Sequence, residues 1–301
     1  MRRFVRFVWF VLAYDVLVVL WGAYVRASFS GDGCGSHWPL CNGEVVPHLA
    51  QTKTIVELSH RVSSGGSLVL AVALLVWARR AFGPRSPVRR GALWAFVFTA
   101  SEALIGAALV LLRLVAHDVS LRRAVSTSLH LSNTFLLLAS LAITARVAGG
   151  DALPSLRPRG WPAFLALGAL GTTLIVAATG ALAALGDTLY PSHSVAQGLA
   201  ADIAPSAPVL IHLRSLHPFV AVGAGVFVLA LAAVSRARAL PVAYFVQLAL
   251  GILNITLLAP TWLQIAHLLT ADVVWVLLVL VAMNALSASR EEGLGGFQPA
   301  P

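Results

Sequence analysis

The sequence contains few charged residues, and it lacks the short alternating polar and apolar segments that build a membrane β-barrel. Only 11% of its 301 residues are charged, about half the share that is usual in a soluble domain. Apolar residues make up 58% of the chain. They fall into runs of roughly 18–25, the length an α-helix needs to cross ~30 Å of hydrocarbon. These features predict a polytopic helical membrane protein.

Eight apolar runs are long enough to span a membrane. The first follows a basic stretch, as in a signal peptide, but it is long and no small-residue cleavage site follows it, so we expect a retained helix. We therefore predict an all-α integral membrane protein with eight transmembrane helices, arranged as two pseudo-repeated four-helix bundles. The predicted spans are 4–26, 54–77, 91–112, 124–145, 162–184, 209–234, 239–258 and 262–286.

Basic residues are concentrated on one side of this predicted topology. Of the 21 Lys and Arg residues, 14 precede the first run, follow the last, or lie in the second, fourth and sixth connections. By the positive-inside rule these segments are cytoplasmic, which predicts a multi-pass protein of the plasma membrane with both termini inside the cell. The net charge of +9 is then explained by the basic residues on the cytoplasmic side of a lipid membrane, and no nucleic-acid partner is expected.

The two halves of the chain are weakly similar to each other. Glu102-Ala-Leu-Ile-Gly106 in the third run resembles Gln247-Leu-Ala-Leu-Gly251 in the seventh. We therefore predict two similar four-helix units side by side. The predicted divisions are an N-terminal half 1–146, a cytoplasmic linker 147–160, a C-terminal half 161–286 and a disordered tail 287–301.

Four histidines lie near the start of the even-numbered runs, at matched depth towards the outer side. Imidazole is a common axial ligand of haem iron, and two imidazoles on facing helices hold the ring from both sides. The alternative is that the histidines form interhelical hydrogen bonds or relay protons. The predicted haem ligands are His60 with His130 in the first half and His217 with His267 in the second.

Small residues follow the first histidine of each half, and we expect them to leave room for a porphyrin face. Those residues are Ser63, Ser64, Gly65 and Gly66 after His60, and Gly223 and Gly225 after His217. Other metals are disfavoured, because Asp, Glu or Cys would be expected to complete a compact zinc or iron site.

Glu57 lies three residues before His60 and so shares its helix face. A carboxylate just inside a membrane is costly without a task or a partner, and here it is suited to proton transfer. The alternative is an ion pair with Arg61 or Arg26. Arg214 occupies the matching position before His217. This broken symmetry favours the first half as the reaction site and the second as a supporting cofactor site.

His212 lies five residues before His217, about 140° away around a helix. We expect it to make an interfacial or haem-propionate contact rather than to share the ligand role. Together with Arg26, Arg61 and Arg214 it forms the set of predicted supporting residues.

Cys34 and Cys41 are the only cysteines and lie in the first outer segment. On the oxidising side of a membrane a disulfide is the expected state. Such a bond could staple the segment over the first haem pocket, or it could exchange electrons.

The sequence resembles the haem A synthases over nearly its whole length. The resemblance rests on three motifs: Gly22-x-x-Val25-Arg26; Ser30-Gly31 through Cys34, Trp38-Pro39 and Cys41; and Glu57-x-x-His60-Arg61. It implies oxidation of the C8 methyl of haem O to a formyl group, which makes haem A for cytochrome oxidase. It further implies that the protein acts together with a haem O synthase, and it is compatible with a homo-oligomer.

The resemblance also implies a role for each residue of the site. His60 and His130 would hold the substrate haem, with Glu57 assisting the oxidation, and His217 and His267 would hold a resident haem b. Two departures stand out: residues 185–208 lack the second cysteine pair of some relatives, and Pro218 follows His217. Proline removes a backbone donor and is expected to bend the helix there.

Other classes of protein remain open at this point. A di-haem b-type electron carrier would need the four histidines, but neither Glu57 nor a cysteine-closed segment. A haem transporter or chaperone would hold haem only in transit. A transporter with structural histidines would bind none.

Overall fold

The computed structural model describes residues 1–45, 47, 51–153 and 160–288. Nine helices account for most of these residues, and the longer ones have the lengths that membrane crossing requires. They are α1 (Arg2–Ala27), α2 (Thr52–Ala81), α3 (Pro87–Leu111), α4 (Leu121–Ala148), α5 (Gly160–Leu189), α6 (Val195–Ile203), α7 (Val209–Val234), α8 (Ala239–Thr256) and α9 (Thr261–Ala288).

Eight of these helices are long and apolar enough to cross a membrane. The prediction of a helical, multi-pass membrane protein is therefore confirmed. The ninth, α6, was not predicted, because it is short and lies in the segment 185–208 that was expected to be a loop. Its first turn is capped by the Ser194 side chain, which accepts a hydrogen bond from the Gln197 backbone N–H at 3.2 Å.

Several predicted boundaries need correction. Helix α5 continues to Leu189 rather than ending at 184. Residues 147–148 belong to α4 and 287–288 to α9, so these parts of the predicted linker and tail are helical. The predicted boundaries follow the ends of the apolar runs, whereas the helices continue further because their backbone hydrogen bonds do not depend on hydropathy. The remaining linker residues 154–159 and tail residues 289–301 lie outside the described residues.

Each half of the chain closes a ring of four neighbouring helices. In the first half α1 contacts α2, α2 contacts α3, α3 contacts α4 and α4 returns to α1. In the second, the same order runs through α5, α7, α8 and α9. The rings meet where α4 and α1 pack against α5 and α9. Two four-helix units would produce this arrangement, while the internal repeat and the division into halves stay predictions.

Small and aromatic side chains hold the two halves together. Many buried positions on α4 and α5, which pack against each other between the halves, are alanines, and these let helix backbones approach closely where there is no hydrophobic drive between helices. Trp275 of α9 stacks on Phe135 of α4, and its Nε1–H donates to the Phe135 carbonyl oxygen at 2.6 Å. The contact satisfies the one polar atom of a fully buried indole.

Candidate functional sites

The four histidines lie at similar depth in their helices, as predicted. Each stands six to nine residues after the first residue of its helix, which corresponds to roughly 9–14 Å along the axis. All four are partly buried. The two pairs, one in each ring, are therefore placed at the same end of the molecule.

Each histidine ring packs against a glycine of the preceding membrane helix. A Cβ atom on Gly22 would lie 2.9 Å from Cε1 of His60, and one on Gly180 would lie 3.0 Å from Cε1 of His217. A side chain on Gly22 would therefore force the His60 ring to move, and one on Gly180 would make a tight contact with the His217 ring. The four contacts are Gly22 of α1 with His60, Gly106 of α3 with His130, Gly180 of α5 with His217, and Gly251 of α8 with His267.

The small residues that follow His60 contact α1 or border open space, and their predicted role of leaving room for a porphyrin face stays a prediction. Gly66 packs against Tyr14 of α1, whose hydroxyl donates to the Ser63 carbonyl oxygen at 3.0 Å. Gly65 is exposed on the same face as Val62. These residues therefore serve the contact between α1 and α2 and the outer surface of α2.

The second half shows the same division between a glycine in a helix contact and a glycine beside open space. A Cβ atom on Gly225 would lie 3.0 Å from Cε1 of Tyr244, so Gly225 serves the contact between α7 and α8. A Cβ atom on Gly223 would meet nothing within 4 Å.

The histidines of the second half face each other at a spacing that suits a shared metal ion. The ring centroids of His217 and His267 are 6.4 Å apart, with ring planes at 87°. Imidazole nitrogens bind metals at about 2 Å, so two rings on opposite sides of one ion would have centroids roughly 6 Å apart. The Thr179 hydroxyl lies 3.2 Å from Nδ1 of His217, and Gln247 Nε2 lies 3.1 Å from Nε2 of His267.

In the first half, His130 lies against a glutamate of α3. His130 Nδ1 contacts the carboxylate oxygen Oε2 of Glu102 on α3. The other oxygen of Glu102 accepts hydrogen bonds from Asn133 Nδ2 at 2.7 Å and from Thr134 Oγ1 at 3.0 Å. One imidazole of the first-half pair thus has a carboxylate behind it.

Unpartnered nitrogens of the histidines test whether the residues fit a haem. Among the described residues, the buried Nδ1 atoms of His60 and His267 have no hydrogen-bond partner. Leaving such an atom unpaired costs about 1–3 kcal/mol, and a metal bound to that nitrogen would remove the cost. The described part of the chain contains no cluster of three or more His, Cys, Asp or Glu residues suited to an ion. Paired imidazoles fit haem iron, whose macrocycle supplies the remaining ligands.

The loop between α1 and α2 is closed by a disulfide between Cys34 and Cys41, which confirms that prediction. Both cysteines are buried. The loop is fastened to α2 by its backbone: the Cys34 N–H donates to Glu57 Oε2 at 2.7 Å, and the Thr54 hydroxyl donates to the Gly33 carbonyl at 2.7 Å.

Arg61 extends this attachment. Its Nη1 donates to the carbonyl oxygens of His37 at 2.6 Å and Leu40 at 2.7 Å, while Nη2 lies 2.5 Å from Glu57 Oε1. Arg61 and Glu57 therefore form the ion pair that was one of the two alternatives for this carboxylate. Within the described residues both oxygens of Glu57 accept hydrogen bonds that hold the loop.

Arg26 does not pair with Glu57. Its Nη1 donates to the Ala184 carbonyl at 2.6 Å and also contacts Thr188 Oγ1, both on α5. Its Nη2 donates to Gln264 Oε1 of α9 at 2.8 Å. Arg26 thus joins α1 to the second half. The sequence alone could not predict this role, because it does not show which helices are neighbours.

Arg214 and His212 fasten α6 to α7. Arg214 Nε donates to Asp202 Oδ1 at 2.9 Å, and its Nη1 donates to Asp187 Oδ1 of α5 at 3.0 Å. His212 Nδ1 lies 3.0 Å from the Asp202 carbonyl oxygen. His212 therefore contacts α6, and its interfacial or haem-propionate role stays a prediction. Pro218 lies inside the helix α7.

The fold and these side chains define an eight-span membrane protein with one pair of partly buried imidazoles in each half. The chain belongs to the COX15-CtaA family of cytochrome oxidase assembly proteins, whose model it matches over residues 5–279. This confirms the predicted resemblance at the level of the family.

Curated relatives carry two different names. A protein of Thermus thermophilus named protoheme IX farnesyltransferase is 43% identical over 308 residues, which cover 98% of this chain and 51% of that relative. A heme A synthase of Bacillus mycoides is 41% identical over 111 residues, 36% of each chain. A Bacillus cereus heme A synthase is 40% identical over 111 residues. The chain spans about half the length of the Thermus relative.

Proposed function

We propose that this protein is a haem A synthase, which oxidises the C8 methyl group of haem O to a formyl group. One observation carries the proposal. The two histidine sites share their build, yet the first has a buried glutamate three residues from its histidine and a disulfide-closed loop fastened to that glutamate. Membership of the cytochrome oxidase assembly family and the names of the Bacillus relatives support the same reaction.

In the first half, His60 and His130 would hold the substrate haem. Gly22 lets the His60 ring stand close to α1, and the His130 ring lies beside Gly106 of α3. A groove of about 440 Å³ opens between α1 and α2, and an apolar substrate could enter there from the lipid. The groove is lined by Tyr14, Ile55, Leu58, Ser59, Val62 and Ser63.

Conversion of a methyl to a formyl group adds one oxygen atom and removes two hydrogen atoms. A haem bound between these imidazoles supplies redox-active iron. Glu57 keeps the loop against α2 through the Cys34 N–H and, by its position one helical turn from His60, is the group that we assign to proton transfer. Arg61 holds the Glu57 carboxylate in place and closes the loop around it.

In the second half, His217 and His267 would hold a resident haem b for electron transfer. Thr179 fixes Nδ1 of His217, which leaves Nε2 for the metal. Gln247 orients the ring of His267 from α8. Arg214, in the place of Glu57, pairs with Asp202 of α6 and with Asp187 of α5.

A haem O synthase is the expected partner. The Thermus relative matches this chain over 51% of its length and is named for transferring a farnesyl group to protohaem IX. The unmatched part of that relative is about as long as the matched part, so a transferase could be joined there to a region similar to this chain. We further propose a plasma-membrane location with both termini cytoplasmic, and the protein can act as a homo-oligomer.

The four histidines alone would equally suit a di-haem electron carrier or a haem transporter. The Glu57–Cys34 contact and the closed loop favour the enzyme, because neither alternative needs them. Product analysis separates the three classes, since only the enzyme changes the macrocycle.

The test is haem extraction and chromatography from cells that make this protein together with a haem O synthase. We expect haem A or its hydroxylated precursor. Haem B and haem O alone, from a folded and haem-loaded protein with a working electron supply, would contradict the proposal.

A further inference from the structure

Glu102 of α3 is aimed at His130 by its neighbours. Its Oε1 accepts hydrogen bonds from Asn133 Nδ2 at 2.7 Å and Thr134 Oγ1 at 3.0 Å. Asn133 is itself held, because its side chain also donates to the Phe98 carbonyl at 2.9 Å. With one oxygen fixed in this way, the other oxygen, Oε2, faces His130 Nδ1.

The second half has a neutral group at the matching helix position, and this group contacts the other ring nitrogen of its histidine. Gln247 precedes Gly251 by four residues, as Glu102 precedes Gly106, and it contacts His267 Nε2 at 3.1 Å. The supporting donors are different. Within the described residues Gln247 Oε1 is buried without a hydrogen-bond partner. Thr270, three residues after His267 as Asn133 is after His130, donates to its own helix at the Ala266 carbonyl.

The charge of the partner changes the chemistry of a metal-bound imidazole. A carboxylate that accepts the outer N–H of a ligating histidine fixes the ring and makes it a stronger electron donor to the metal. A more strongly donating axial ligand stabilises oxidised iron and lowers the reduction potential of a haem. An amide oxygen or nitrogen does this far less, because it carries no net charge.

We propose that Glu102 is a positioning residue that acts through His130 and sets the reduction potential of the first-half haem below that of the second-half haem. The proposal rests on the proposed function, since it needs a haem held by His60 and His130. It assigns the electron-rich iron to the half in which the methyl group is oxidised. Glu102 then acts from α3 through His130, while Glu57 acts from α2 beside the haem.

The experiment exchanges the two groups in the purified, haem-loaded full chain. Reduction potentials are measured by optical redox titration, and haem content per protein is measured in the same samples. For Glu102→Gln we expect the lower of the two potentials to rise and the other to stay. For Gln247→Glu we expect the second-half potential to fall, and Glu102→Asp should restore part of the wild-type value.

Unchanged potentials in a fully haem-loaded Glu102→Gln protein would overturn the proposal and leave haem binding intact. If Glu102→Gln loses its haem, Gln247→Glu decides: a lower second-half potential supports the proposal, and an unchanged one overturns it. Wild-type protein that binds haem only in the second half would instead contradict the proposed function.

Discussion

The two halves fasten their outer segments with opposite charges from the same helix position. Glu57 precedes His60 by three residues and accepts the Cys34 N–H of the disulfide loop, whereas Arg214 precedes His217 by three residues and binds Asp202 of α6. Both side chains are buried, with 3% and 8% exposure. The position therefore has a common structural task, and its charge was free to differ.

The halves also differ in charge at the residue that lies behind the second histidine of each half. His130 has the carboxylate of Glu102 behind it, and His267 has the amide of Gln247. Each of the four histidines lies beside a glycine, while Glu57 and Glu102, two carboxylates beside these histidines, belong to the first half. The halves thus share the helix arrangement around their histidines and differ in the acidic side chains beside them. This difference is the basis for assigning the reaction to the first half.

The largest effect is expected from removing the acid that distinguishes the first half. Glu57→Gln should lower haem A formation by ~100-fold or more, the range seen when a positioned proton-transfer group is lost. The readout is haem A per bound haem, by extraction. Glu44→Gln, an exposed acid of the same loop, is the control for loss of charge and should retain the activity. Equal products from Glu57→Gln and wild type would remove Glu57 from the mechanism.

A smaller but still large effect is expected where a glycine meets a histidine ring. Gly22→Val would push a side chain into His60, because even a Cβ atom would lie 2.9 Å from Cε1, and overpacking of this kind costs about 1–3 kcal/mol. We expect the haem content of the first half to fall by ~10-fold. Gly65→Val is the matched control on α2, where an added Cβ meets nothing within 4 Å. Haem loss in both variants alike would show that the ring contact is not the cause.

Loss of the disulfide should have a moderate effect. In Cys34→Ser/Cys41→Ser the loop keeps its bonds to Glu57 and Arg61, so haem A formation should fall only several-fold. Opening of the loop should become easier by about 2–3 kcal/mol, which hydrogen exchange of residues 30–45 would measure. Complete loss of product with a loop that is still protected would instead favour electron exchange by the cysteines.

The smallest effect is expected in the second half. Asp202→Asn removes one of the two carboxylates bound to Arg214, while Asp187 remains. We expect α6 to be destabilised by about 1 kcal/mol, with increased proteolysis of residues 195–203. Asp151→Asn, in a more exposed pair with Arg146, should change neither measurement. A large fall in product for Asp202→Asn would contradict the purely structural role of Arg214.

The eight spans were predictable because each depends on a local run of apolar residues. The matched depth of the histidines followed from their place in those runs. The pairing of Glu57 with Arg61 was also local, since residues four apart share a helix face. Helix α6 was missed because its stability depends on Arg214 and His212, which come from another helix.

The histidine-facing glycines could not be assigned from sequence for a similar reason. A residue such as Gly180 touches His217 only because α5 packs against α7. The contact of Gly66 with Tyr14 of α1 also depends on which helices are neighbours and was not visible in the sequence. The likeness of the Glu102 and Gln247 segments was visible in the sequence, but their contacts with histidines were not.

The most direct test of the central claim, that the first half holds the substrate and the second half a resident haem, is the identity of the haem lost from each half. The full chain is purified from cells that also make a haem O synthase, as wild type and with single His→Ala changes. We expect His60→Ala and His130→Ala to lose haem O and haem A while keeping haem B. We expect His217→Ala and His267→Ala to lose haem B. Loss of haem B from the first pair of variants, with haem O or haem A still bound, would contradict the account.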